Sequence, residues 1–62
     1  MSLHLELGKP FIFVLQSGME RKIIVFGQSS DGLWDIEADG VRGKYSDLQA
    51  AIGQPYTAYR AA

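Results

Sequence analysis

GLWDIEADGVRGKYSDLQAAIG, residues 32–53, specifies a β-hairpin that runs into a short capped helix. Asp39-Gly40 suits the two central positions of a type I′ turn, where both residues need φ > 0. Centring the turn there pairs Ala38 with Val41, Glu37 with Arg42, Ile36 with Gly43, Asp35 with Lys44 and Trp34 with Tyr45. One face of the ribbon is then apolar. The other holds two opposite-charge pairs, so register and charge agree. Gly43 faces Ile36 without a side chain of its own, which marks a bulge or the close approach of another backbone. Ser46 reads as the helix cap, with Gln49 reaching back in a capping box. Leu48, Ala51 and Ile52 share one helix face, and Gly53 is the C-terminal stop.

Upstream, Leu3, Leu5 and Leu7 alternate with His4 and Glu6, which predicts a short edge strand ended by Gly8-Lys9-Pro10. Phe11 to Gln16 is a second strand and Arg21 to Phe26 a third. A two-residue turn at Gly18-Met19 pairs Val14 with Ile23, Phe13 with Ile24, Ile12 with Val25 and Phe11 with Phe26. That register splits the hairpin into two apolar faces. Ile12, Val14, Ile23 and Val25 form one. Phe11, Phe13, Ile24 and Phe26 form the other, and their bulk suits a core beneath the helix. Residues 27–32 (GQSSDG) read as the mobile connection. Tyr56 to Tyr59 read as one more helical turn or a docked tail, with Arg60 to Ala62 frayed.

The expected fold over residues 1–62 is therefore a single small α+β domain. Four to five short, mostly antiparallel strands form the sheet, with one short C-terminal helix. The alternative is an SH3-like small β-barrel. Strand–strand–helix runs with a strand tryptophan and Tyr45-x-x-Leu48-x-x-Ala51-Ile52 are similar to many small bacterial and phage domains. The pattern selects no single family. A three-stranded sheet with a helix also resembles the DNA-binding arms of integrases.

Composition narrows the function classes. The chain has 62 residues and no cysteine, so disulfides and thiolate metal sites are excluded and a reduced cytosol is the expected setting. A chain this short buries only about 60% of the surface its unfolded form exposes, and oligomerisation is the staple left to it. Six basic and seven acidic residues give a net charge of −1, a poor footprint for nucleic-acid binding. No apolar run reaches the roughly 20 residues of a membrane span. Met1-Ser2-Leu3 leads into histidine and glutamate, unlike a secretory signal.

Chemistry finds little purchase. His4 and Glu6 point the same way from a strand, but two ligands do not make a metal site. Asp35 and Glu37 share a strand face, with Asp31 and Asp39 near its ends, and basic partners neutralise them. Ser17, Ser29, Ser30 and Ser46 have no spacing that links them to His4. Gly8-Lys9 lacks the rest of a phosphate loop. Trp34 and Tyr45 read as a cross-strand pair under the helix rather than a base-stacking platform. No catalytic, cofactor or metal residue is expected.

The first hairpin is apolar on both faces, and one short helix covers only one of them. The leading expectation is a non-catalytic protein-binding or regulatory module, a homo-oligomer or a binder of another protein, with Ile12, Val14, Ile23 and Val25 as the interface. The alternative is a small nucleic-acid-binding domain using Arg21, Lys22, Arg42 and Lys44.

Overall fold

The computed structural model describes residues 5–62. Its elements run β1 (Pro10–Leu15), β2 (Glu20–Gln28), β3 (Trp34–Ala38), β4 (Val41–Tyr45), α1 (Leu48–Ile52) and β5 (Tyr56–Ala61). The strands form one antiparallel sheet in the order β4-β3-β2-β1-β5. β4 and β5 are its two edges, so the sheet is open and the barrel alternative falls. The architecture is the small α+β fold expected.

The organising hairpin forms as its chemistry dictates. Asp39 and Gly40 have φ of 51° and 85°, the two left-handed positions of a type I′ turn. The five pairs from Trp34–Tyr45 to Ala38–Val41 all occur. The register runs unbroken past Gly43, so there is no bulge. The Tyr45 ring lies over that glycine, 3.3 Å from where a Cβ would stand, and fills the gap opposite Ile36.

The first hairpin differs. Leu15 N–H donates to the Met19 carbonyl at 2.8 Å, and Gly18 N–H donates to the Leu15 carbonyl at 2.9 Å. The loop is thus the three residues Gln16, Ser17 and Gly18, with Gly18 in the left-handed region at φ 91°. This is the turn-plus-bulge solution rather than the two-residue turn expected. Pairing becomes Phe11–Ile23, Ile12–Lys22, Phe13–Arg21 and Val14–Glu20. The shift is an odd number of residues, so β2 presents the opposite set of side chains relative to β1. Ile23 and Val25 therefore join Phe11, Phe13 and Leu15 on the core side. Ile24 and Phe26 leave the core side and join Ile12 and Val14.

The core is Phe13, Leu15, Ile23, Val25, Ile36 and Ile52, all buried. Phe11, Trp34, Tyr45, Leu48 and Ala51 pack around it. α1 lies over β3 and β4 and sends Ile52 into the centre. Over β1, Tyr59 stacks on Phe13 with ring centroids 5.3 Å apart, and Tyr56 meets it edge-on at 4.9 Å. These two tyrosines belong to a strand, not to a further helical turn. β5 pairs with β1 through Arg60 and Ala61, and Ala62 N–H donates to the Pro10 carbonyl at 3.1 Å. The end expected to fray thus completes the sheet.

Three other details depart from expectation. Leu5 to Lys9 belong to no strand: Leu7 and Gly8 form a turn, with Gly8 N–H donating to the Val25 carbonyl at 2.7 Å; Leu3 and His4 lie outside the described residues. The loop at 29–33 is held by its own bonds, including Ser29 N–H to the Leu33 carbonyl at 2.8 Å and Leu33 N–H to Asp31 Oδ1 at 3.0 Å. The helix cap is Asp47, one residue beyond Ser46. Its Oδ1 accepts the Ala50 N–H at 2.8 Å, while Gln49 donates to the Gln54 carbonyl instead of reaching back. Asp47→Ala should lower stability by about 1 kcal/mol, the usual worth of a lost cap, whereas Ser46→Ala should be near neutral. Urea denaturation of both variants separates the two caps.

Candidate protein-binding face

The sheet side away from α1 is an ordered array of charged and apolar groups. Cross-strand register places every member. Ile12 and Val14 come from β1, Lys22, Glu20 and Ile24 from β2, and Glu37 and Asp35 from β3. Arg42 and Lys44 come from β4, and Ala58 and Arg60 from β5. Phe26 follows Ile24 on this side by alternation, and it is the extra residue where the register of β2 on β3 shifts between Val25 and Gly27. The extra residue is left unpaired in the ladder, and Phe26 is 36% exposed. Ile12, Val14 and Ile24 are half-buried.

Two arginines from the sheet edges reach inward across this apolar strip. Arg42 lies 4.0 Å over the Phe26 ring. Its fork grips Asp35, with Nε to Oδ1 at 3.0 Å and Nη2 to Oδ2 at 2.7 Å. Arg60 bonds Glu20 through Nη2 at 3.0 Å. Arg60 faces Ile12 and Glu20 faces Val14 across the ladders, so that bond crosses β1 between the two aliphatic residues. Long arginine arms cover apolar surface while keeping the charge in water.

The charge pairing follows the diagonal, not the direct register. Glu37 opposes Arg42 in the ladder, yet Arg42 bends over Phe26 and binds Asp35. Diagonal neighbours are within reach of long side chains. Lys44, expected to pair with Asp35, donates to Ser29 Oγ at 2.9 Å. Among the described residues, Glu37 and Lys22 form no ion pair. A shallow depression of about 290 Å³ lies between Phe26, Gln28, Ser29, Asp35, Arg42 and Lys44.

The residues expected to act together are divided. Ile12 and Val14 lie on this outer face, whereas Ile23 and Val25 are 1% and 8% exposed in the core. The outer apolar set is Ile12, Val14, Ile24 and Phe26, and the three-residue loop was the missed signal. Lys22, Arg42 and Lys44 share the outer face. Arg21 does not; it opposes Phe13 on the core side. Its Nη1 bonds Asp39 Oδ2 at 3.0 Å, and its buried Nε has no hydrogen-bond partner.

No group of three or more metal-ligating side chains converges among the described residues. The described residues include no helix long and apolar enough to cross a membrane. On the core side, an apolar hollow of about 330 Å³ opens between Leu5, Leu7, Val25, Trp34, Ile36 and Leu48. Its lining side chains are aliphatic apart from Trp34.

The Arg42 fork holds the Asp35 carboxyl below its ordinary value of 3.8. A carboxyl with a depressed pKa in the folded chain adds stability above its unfolded pKa. That contribution fades as pH falls through the folded value. Arg42→Gln should raise the Asp35 titration midpoint toward 3.8 and shrink the stability lost between neutral pH and strong acid. Carboxyl NMR titration of both proteins reads the shift directly; an unmoved midpoint means the fork does not act in solution. No protein-family model matches this chain, and no curated protein or solved structure is significantly similar to it.

Proposed function

We propose that the chain is a non-catalytic protein-binding module that works by associating with a second copy of itself through the outer sheet face. One observation carries the reading: the helix covers one side of an open sheet, and the other side carries Ile12, Val14, Ile24 and Phe26 between the Arg42–Asp35 and Arg60–Glu20 ion pairs. An apolar centre with a charged rim is the composition of a protein interface. Mixed signs favour a protein over a nucleic acid, since Arg21 and Arg42 are each bound to an aspartate. Small size favours a second copy. Six buried side chains among the described residues are a small core, and a chain without cysteine gains its missing burial most directly by pairing with itself.

The face divides the test cleanly. Val14→Asp should leave a folded chain with native near-UV circular dichroism and dissociate the complex in sedimentation velocity. Ile23→Asp should unfold it, since an unpaired charge then replaces a core side chain. A wild-type chain that sediments as a folded monomer at every concentration overturns the self-association reading.

A further inference from the structure

We propose that the chain carries a backbone modification site at Asp31-Gly32, where aspartate converts to isoaspartate, and that the contact of Asp39 with β2 spares the same dipeptide at Asp39-Gly40. Aspartate precedes glycine twice in the sequence, and all four residues are exposed. The pair is chemically labile because glycine has no side chain to shield its amide nitrogen. That nitrogen gives its proton to the solvent and attacks Cγ of the protonated carboxyl. A bond forms between nitrogen and Cγ, the carboxyl hydroxyl takes up a proton and leaves as water, and a five-membered succinimide closes. Water then adds to the main-chain carbonyl carbon of the aspartate, whose bond to the nitrogen breaks. The chain now runs through Cβ and Cγ, and the former carbonyl carbon is a free carboxylate. One water leaves and one enters, so the mass is unchanged and no other reagent is consumed.

Ring closure needs the carboxyl free to reach the nitrogen of its own following residue. The rate at each site therefore follows how easily that turn opens. Asp39 is held from outside its turn. Its Oδ1 accepts the Lys22 N–H and its Oδ2 accepts Nη1 of Arg21, each at 3.0 Å. Its own N–H donates to the Lys22 carbonyl at 2.9 Å. These three bonds run to another strand and draw the carboxylate away from Gly40. The turn adds a second bar. A type I′ turn sets ψ of its first central residue at about +30°, which turns the Gly40 nitrogen to the side opposite Cβ, whereas the ring needs both on one side.

Asp31 is held by its own neighbours. Its Oδ1 accepts the Leu33 N–H at 3.0 Å, so the carboxylate points forward along the chain, toward the peptide that follows Gly32. Gly32 N–H donates to the Ser29 carbonyl at 2.9 Å, and Ser29 N–H donates to the Leu33 carbonyl at 2.8 Å. Gln28 Nε2 donates to the Gly32 carbonyl at 2.9 Å. All of these bonds stay within residues 28–33. The tie from another strand, Lys44 Nζ to Ser29 Oγ, ends two residues short of Asp31. Opening this loop breaks short-range bonds, while opening the Asp39 turn also breaks its hold on β2.

The test is incubation of the full chain in warm neutral buffer, followed by a peptide map with an endoprotease that cuts before aspartate but not before isoaspartate. In the folded chain isoaspartate should accumulate at 31 faster than at 39 by about tenfold or more, as expected where three further hydrogen bonds must open. In urea the two rates should converge, since both sites are then the same dipeptide in an open chain. Arg21→Met should raise the rate at 39 several-fold and leave the rate at 31 unchanged. Asp47→Ala separates the contact from stability, because it weakens the helix cap and leaves Asp39 untouched. A rise at 39 in Asp47→Ala as large as in Arg21→Met overturns the role of Arg21, and so does an Arg21→Met chain with the wild-type rate. Equal rates at 31 and 39 in the folded chain, or a preference for 31 that persists in urea, overturn the assignment of the site. The comparison of folded and unfolded wild type decides this even if Arg21→Met fails to fold.

Discussion

The register between β1 and β2 is the constraint on which the rest of this molecule depends. It is set by three residues, Gln16, Ser17 and Gly18, closed by the hydrogen bonds of Leu15 with Met19 and Gly18. Gly18 can hold φ 91° without a Cβ clash. A loop of two or four residues would turn the other set of β2 side chains toward the helix. Ile24 and Phe26 would then lie beneath Ile52, and Ile23 and Val25 would face outward. Both sets are apolar, so hydrophobic burial alone does not choose between them. Loop geometry does, and Arg21 and Lys22 settle accordingly on opposite sides of the sheet.

A second node is Asp39. Its φ of 51° makes the turn, its N–H donates to the Lys22 carbonyl at 2.9 Å, and its carboxylate accepts from the Lys22 N–H and the Arg21 guanidinium, each at 3.0 Å. One turn residue therefore ties the β3–β4 hairpin to the start of β2. The same economy appears at the edges. Arg42 and Arg60 come from the two edge strands and fold inward over apolar side chains, so the outer face is bounded by charge where unpaired strand edges begin. The function proposed grows from this arrangement: an apolar strip on β1 and β2 flanked by Glu20 and Lys22, with acidic side chains on β3 and basic ones on the two edge strands.

Much of this was legible from residue order alone. Asp39-Gly40 determined the second hairpin and its five pairs because a type I′ turn leaves no freedom in register. Gly53 ended the helix, at φ 76°, and Leu48, Ala51 and Ile52 marked the buried side. The two-faced hydrophobicity of the first hairpin was also plain, and with it the expectation that a second surface needs a partner. Only the tertiary structure decided which residues form that surface. Val14 and Ile23 are equally apolar, and neither periodicity nor size distinguishes them; a three-residue loop does. It also turned Tyr56–Ala61 into a strand, because β1 offers an edge whose ladder bonds no local propensity can reveal. Diagonal pairing of Arg42 with Asp35 followed the same logic, since the Phe26 ring beneath the arginine comes from β2, which lies beside β3 only once the chain has folded. Local turn chemistry is written in adjacent residues, whereas the choice between two apolar faces is made by strands that meet only when the chain folds.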